Sequence, residues 1–455
     1  MFITIFSVVF LLSSVSYTFI LKQIAALSFD TVLEPSSLVT EASYIIFQND
    51  STYYARNGKT GQIRYSGINI TSLSSSVFND LTHGRTFLEK VCYKGSFTIS
   101  NTISIPSYVF LDFSEAKFTA QILSGPMFYS TSHNIEVYEG FINGNRPQTG
   151  ALLYGFFFNG SYNIKFSQTK IVNTTWETIY FMNCRNITLL STYHHNSGRE
   201  GVAVWNADEY AYDNINLKII GSTFTDCIWD GIVIDSTNIK GVKIKSSIFD
   251  KNGYCGIKVN SARDVQIVNC QAVNNSQHGI YVQNIYNKTS DDISISNCIA
   301  RFNNESNIHV KNTTTALVEA CVTSHSNMHG VWIELCDFTV VKWNTVLNNG
   351  QNSPSFYHGI YITGTENSIF ANNACTDNQT SKTQGLGIYE SFACDYNIFE
   401  DNNCSGNYYL EGLAVNGVHS IVFRIITMAR VLFVVCISFA MGWLLGLALS
   451  GKYRK

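Results

Sequence analysis

The chain of 455 residues carries only 5 Pro and 14% charged residues, with a formal net charge of −3. No strongly basic stripe is present, which excludes nucleic acid as the expected partner.

At the N-terminus Phe2 to Leu21 is almost wholly apolar, so residues 1–28 read as a signal peptide or signal anchor. Further on a short phrase keeps returning: glycine, a branched aliphatic, any residue, then usually a second aliphatic. It reads Gly201-Val202-Ala203-Val204, Gly231-Ile232-Val233-Ile234, Gly256-Ile257-Lys258-Val259 and Gly279-Ile280-Tyr281-Val282. It continues as Gly330-Val331-Trp332-Ile333, Gly359-Ile360-Tyr361-Ile362, Gly387-Ile388-Tyr389-Glu390 and Gly412-Leu413-Ala414-Val415. Asn307-Ile308-His309-Val310 fills the one gap, and Asn is the natural substitute where a positive φ is required. Successive copies are separated by 23 residues (Gly256 to Gly279) to 30 residues (Gly201 to Gly231), a solenoid period.

A second phrase alternates with period two: Val242-Lys243-Ile244, Val265-Gln266-Ile267, Ile293-Ser294-Ile295 and Phe338-Thr339-Val340. Beyond each comes Ser247, Cys270, Cys298 or Trp343, and two further on Phe249, Ala272, Ala300 or Thr345. A turn column follows, reading Asn252, Asn275, Asn303, Ser326, Asn348, Asn378 and Asn407. Short strands with no helical spacing between them predict an all-β, right-handed single-stranded parallel β-helix over residues 96–423.

Val431 to Leu449 is a second apolar run, long enough to span a bilayer, so a transmembrane helix is expected over 424–450. Lys452, Arg454 and Lys455 then place the tail, residues 451–455, on the cytoplasmic side. Asn-x-Ser/Thr sequons, among them Asn173, Asn274, Asn304 and Asn312, agree with export, although a chain this rich in Asn, Ser and Thr generates many by chance. Of the 12 Cys, Cys270, Cys298 and Cys321 share one inward column and act there as small hydrophobes. No Cys-x-x-Cys pair occurs, so neither a metal nor another cofactor is expected.

The segments Tyr44 to Gly67 and Gly95 to Val109, the latter with Ile103-Ser104-Ile105-Pro106-Ser107-Tyr108-Val109, resemble the first part of pectate-lyase-like β-helix proteins of archaea and their viruses. The resemblance covers roughly residues 44–420 with the repeats. It implies a cap over 29–95, in which Thr71 to Leu81 form a short helix closing the open end of the core. The superfamily hosts lyases, hydrolases, epimerases and plain binding proteins, so activity does not follow from it. The Asn-Thr-Asp, Asp-Asp, Gly-His-Gly and Arg-Ile-Lys set of polygalacturonases is absent, as are the clustered Asp and paired Arg of calcium-dependent pectate lyases.

In the repeated phrase the aliphatics point inward, so the third residue faces solvent. That column reads Ala203, Val233, Lys258, Tyr281, His309, Trp332, Tyr361, Tyr389, Ala414. Tyr281, His309, Trp332, Tyr361 and Tyr389 are therefore expected to form an exposed strip that stacks against sugar rings. Gln283, Glu334, Glu390, His278, His329 and His358 stand ready as polar partners beside it. The step from turn Asn to Gly lengthens between Asn348 and Gly359 and between Asn378 and Gly387, as does the segment Gln283 to Asp291, so loops are expected to wall this face. The functional expectation is a membrane-tethered surface protein that binds polysaccharide or surface glycan. The alternatives are a polysaccharide lyase or glycoside hydrolase, with Glu334 and His329 or His309 as acid and base, and a structural or adhesion element of an envelope or virion. Glu334 and Glu390, two rungs or ~10 Å apart, are too widely spaced for an inverting carboxylate pair.

Overall fold

The computed structural model describes residues 41–121, 124–146, 152–206, 215–284, 292–409, 412–417 and 419–423. The apolar runs at the two ends and the basic tail lie outside these residues. Among the described residues no helix is long and apolar enough to cross a membrane.

Three antiparallel strands, Ala42–Asn49, Thr52–Asn57 and Ile63–Gly67, open the described chain. The helix Ile70–Asn79 follows, one residue earlier in its start than the expected Thr71. Asn69 caps it, its side-chain oxygen accepting from Ser72 N at 3.1 Å. Ile70, Leu73, Val77 and Phe78 face inward from the helix, and Tyr93 donates to Ser74 Oγ at 2.9 Å. The helix thus closes the end of the core, as a solenoid requires of its terminal unit.

From Glu89–Ile99 onward every pairing is parallel, and each coil hydrogen-bonds to the next in register. The result is a right-handed β-solenoid of about 12 turns. Identical positions lie over one another: Ile232, Ile257, Ile280, Ile308, Val331, Ile360 and Ile388 form one column, all fully buried. Toward the N-terminal end the same interior is filled by rings, with Phe128 and Phe156 stacked at 4.6 Å and Phe158 and Phe181 at 5.5 Å.

The glycine column is used for close approach and not for positive φ. A Cβ at Gly256 would stand 2.7 Å from Gly279 O and 2.9 Å from Asn275 Nδ2, and only Gly412 of the column has a left-handed backbone. Asn307 fills the gap for a different reason from the one expected. Its carboxamide joins the neighbouring polar ladder, accepting from Asn303 Nδ2 at 2.8 Å and donating to Asn349 Oδ1 at 3.1 Å.

That ladder runs through Asn252, Asn275 and Asn303, each bonded to the next at about 3 Å, and on through Asn349, Gln384 and Asn407. Asn348 and Asn378, assigned to it from the sequence, form a separate pair nearer the surface at 2.8 Å. The same one-residue correction applies to the whole rung. Val341 and Val346, not Val340 and Thr345, continue the inward columns of Val318 and Thr323. Asn344, not Trp343, takes the small-residue position below Cys321, accepting from its backbone N at 2.9 Å. The chain leaves each of these strands through one left-handed residue placed just before the small-residue position: Ser246, Asn269, Asn297, Ala320 and Trp343 all lie near φ +55°. A one-residue slip moves every side chain to the opposite face.

Trp343 therefore sits exposed on a backbone that a bulky side chain adopts only with strain. Trp343→Asn is expected to leave stability unchanged or raise it by up to ~1 kcal/mol. Asn344→Ala strands buried partners and costs about 3 kcal/mol. Thermal melts of the two variants check this register, and the reverse order would return Trp343 to the inward column.

All 11 described cysteines are free, and the column Cys270, Cys298, Cys321 is buried as expected. Burial pushes the Cys298 thiol up, and it lies between the sulfurs of its two neighbours.

Candidate functional site

The third-letter column is a physical column. Register pairs Tyr180 with Ala203, then Val233, Lys258, Tyr281, His309, Trp332, Tyr361, Tyr389 and Ala414 in unbroken succession. Ring centroids follow at 4.8 Å from Tyr281 to His309, 4.0 Å to Trp332, 5.9 Å to Tyr361 and 5.7 Å to Tyr389. The strip is less open than its sequence implied. Tyr281, Trp332, Tyr361 and Tyr389 are half-buried, and His309 is only 3% exposed because rings close over it from both sides. The column also extends further than the glycine phrase reveals. Tyr129 and Phe157 precede Tyr180 in the same register, with Phe157 and Tyr180 stacked at 5.1 Å.

A second column lies immediately before the glycine position, which Thr178 and Asn307 fill on two coils: Glu177, Glu200, Asp230, Cys255, His278, Ser306, His329 and His358. Backbone bonds such as Gly256 N to His278 O and Gly330 N to His358 O fix its register. Its histidines sit beside the strip rings, His278 at 4.8 Å from Tyr281, His329 at 4.4 Å from Tyr361 and His358 at 4.7 Å from Tyr389. On the other margin Asp235, Asn260, Gln283, Lys311, Glu334 and Thr363 stack in turn.

These columns converge in one polar chain. Glu305 Oε2 lies 2.9 Å from His278 Nε2, which lies 3.3 Å from His309 Nδ1. His309 Nε2 meets Glu334 Oε2 at 3.0 Å, and Glu334 Oε1 meets Lys311 Nζ at 2.8 Å. Ser306 N donates to His278 Nδ1 at 3.2 Å, so the network assigns the His278 proton to Nε2 and that of His309 likewise. Burial holds His309 down to about 4 against the pull of Glu334, so it is neutral at pH 7. Burial pushes the Glu334 carboxyl up, but its bonds to His309 and Lys311 outweigh this and leave it below the usual range. A neutral imidazole beside an ionised carboxylate can accept a proton and pass it along the chain.

Of the residues expected from sequence, His309 and Glu334 are thus brought together, and His329 joins neither. His329 Nδ1 instead accepts from His358 N at 3.1 Å, under Trp332 and Tyr361. Glu390 is also not beside the strip. It takes the fourth, inward place of the phrase, fully buried beyond Ile362, where Asn397 Nδ2, Ser420 Oγ and Gly417 N donate to it. Sequence reading missed Glu305, which lies in the turn before the phrase, and Lys311, although Lys311 takes the same margin position as Gln283 and Glu334.

Two of the enlarged loops flank the strip. Tyr357 packs edge-on against His329 at 5.1 Å, and Phe356 beside it is 71% exposed. Gln351 Nε2 donates to Thr383 Oγ1 at 2.9 Å, tying this loop to the one ordered by Asp377, whose carboxylate accepts from Thr383 N and Gln384 N. The third, Gln283 to Asp291, falls largely outside the described residues.

The coils and their unbroken register define a right-handed parallel β-helix. The family profile described as right-handed beta helix region matches residues 154–289 and 283–427, and the chain belongs to that family. Among solved structures it is similar to the receptor-binding domain of the siphovirus 9NA tailspike, at 12% identity over 78% of this chain and 74% of that one, with a TM-score of 0.56. It also matches the A-module of a mannuronan C-5 epimerase from Azotobacter vinelandii, at 14% identity, 74% and 91% coverage and TM-score 0.47. A third is a surface adhesin of Streptococcus pneumoniae, at 13% identity, 72% and 87% coverage and TM-score 0.49. At such identities the likeness is one of fold. No curated protein matches the sequence.

Proposed function

We propose that this chain is a surface protein that binds polysaccharide or surface glycan along the strip from Tyr281 to Tyr389. One observation carries the reading: rings on consecutive coils share a single solvent-side column, with hydrogen-bonding groups on both margins. A sugar presents apolar CH faces and hydroxyls together. Rings at roughly the rung repeat of ~4.8 Å offer the first a stacking platform. Lys311, Glu334, Glu305 and Gln283 offer the second its donors and acceptors. The membrane tether through Val431 to Leu449, with the β-helix outside, belongs to the same proposal.

The test is a glycan array probed with the full chain and with the Trp332→Ala, Tyr361→Ala double variant. The variant is expected to lose roughly tenfold or more in apparent affinity for every glycan the wild type retains. Equal binding by both proteins removes this face from the account.

A further inference from the structure

The rings from Tyr281 to Tyr389 are bordered by carboxylates on both sides, and the cations near them are already engaged. On one side Glu305 Oε2 lies 2.9 Å from His278 Nε2, its side chain 36% exposed, and that bond holds its carboxyl below the usual range. On the other Glu334 lies between His309 and Lys311, at 3.0 and 2.8 Å, and stays 16% exposed. Beyond Glu334 the next turn sets Asp337, Glu366 and Asp395 over one another in parallel register on successive coils. His419 meets Asp395 at 2.9 Å.

The positive charges are fewer and are committed. Among the described residues of the columns that border these rings, Lys311 is the one ammonium, and Glu334 neutralises it. Lys382, on the flanking loop, donates to Asp377 O. One coil before Tyr281, Lys258 pulls down the Asp230 carboxyl, which burial pushes up to about 6. The histidines of the strip add no charge at pH 7. Burial holds His309 and His358 down to about 4, and His329 well down too. His278 accepts from Ser306 N, which leaves it one ring proton, turned to Glu305.

An anionic sugar is held by charge-assisted bonds from ammonium or guanidinium groups to its carboxylate or sulfate. A polyuronate laid on these rings would meet only the neutralised Lys311 and would bring its own charges against Glu305 and Glu334. Like charges set against each other in this way suppress binding. Hydroxyls meet no such penalty, because the carboxylate oxygens still accept from them and the remaining Lys311 protons still donate.

We propose that the strip selects glycans that carry neither carboxylate nor sulfate, and that Glu305 and Glu334 repel polyuronates from it. Selection of this kind rests on glycan binding at Tyr281 to Tyr389 and narrows it to one charge class.

The test is the glycan array with its members sorted by charge and with polygalacturonate and polymannuronate added. It is read with the full chain as wild type, as the Trp332→Ala, Tyr361→Ala variant and as a Glu305→Gln, Glu334→Gln variant. Thermal melts confirm that each folds. Every glycan whose retention depends on the two rings is expected to be free of carboxylate and sulfate. Its retention should change less than about twofold between about 0.05 M and about 0.5 M NaCl. Wild type is expected to retain neither polyuronate. The Glu305→Gln, Glu334→Gln variant leaves Lys311 without its carboxylate, and should retain them roughly tenfold more at the lower salt and lose them at the higher. A polyuronate or sulfated glycan held by wild type through Trp332 and Tyr361 overturns the selection and leaves the strip standing as the binding face. No gain by the Glu305→Gln, Glu334→Gln variant overturns the role of these two carboxylates. Equal retention by wild type and the ring variant is a separate failure, which removes the strip and this selection with it.

Discussion

Asn275→Ala is expected to lower stability by about 4 kcal/mol, more than any single exposed substitution on the coil. Asn275 Oδ1 accepts from Asn252 N and Asn252 Nδ2, and its Nδ2 donates to Phe249 O and Asn303 Oδ1. Alanine leaves Asn252 N without its acceptor and takes one bond each from Asn252 Nδ2, Phe249 O and Asn303 Oδ1 in a place water does not reach. Asn252 Nδ2 keeps Phe224 O, and Asn303 Oδ1 keeps the backbone N of residue 275. Each buried polar group left alone costs roughly 1–3 kcal/mol. Asn327→Ala is the matched control. Asn327 Nδ2 donates to Asn304 Oδ1 at 2.6 Å in an exposed outer turn, where water replaces the bond. It is expected to change stability by less than 1 kcal/mol. Because a solenoid is held by nearest-neighbour contacts, the loss at Asn275 should centre on the adjoining coils. Hydrogen exchange reads this directly: protection falls first in Ile257–Val268 and Ile280–Gln283 and last near the helix Ile70–Asn79. Uniform loss, or none, would mean that the ladder does not carry the coil.

The second large effect is a stability maximum near pH 6–7 with losses on both sides. Burial holds His309 and His358 down to about 4 and His194 to about 3, against an ordinary value of 6.5. A base with a depressed folded pKa contributes stability that is present above 6.5 and is lost as pH falls toward the folded value. Each such histidine is worth on the order of 3 kcal/mol across that window. On the basic side the sign reverses. Glu177, raised chiefly by burial to about 8, holds its proton in the fold while the unfolded chain releases it, so its contribution declines as pH rises from about 4.5 to 8. Melting temperatures from pH 4 to 9 are expected to trace an arch, and Glu177→Gln to flatten only its basic limb. A flat profile between pH 6.5 and 4 would show that these imidazoles are solvated.

The glycine phrase made the strip legible because its third letter is read once per coil and parallel register leaves it nowhere else to go. The same logic failed at residues 338–349. There the apolar letters Phe338 and Val340 imitate the inward pair, while the left-handed turn residue Trp343 carries a side chain that its position does not favour. Asn348-Asn349 offers two adjacent candidates for one ladder place, and only the hydrogen bonds distinguish them. The polar chain from Glu305 to Lys311 was half legible. His309 is a letter of the phrase and Glu334 follows it directly, whereas Glu305 belongs to the preceding turn and meets His278 only across the rung. Exposure was the least legible property. The alternation says that His309 points outward, but not that Tyr281 and Trp332 would bury it. Tyr129, Phe157 and Tyr180 went unseen because Met127 and Thr178 stand in the glycine place on two of their coils, and on the third Gly155 is followed by Phe156 and not by a branched aliphatic.

The most direct test of the glycan-binding account is a crystal structure of the chain soaked with an oligosaccharide selected from the array. The account places sugar rings over Trp332 and Tyr361, with hydroxyls within hydrogen-bonding distance of Glu334 or Lys311. An oligosaccharide seated on another sheet of the coil, with Tyr281 to Tyr389 bare, would contradict it.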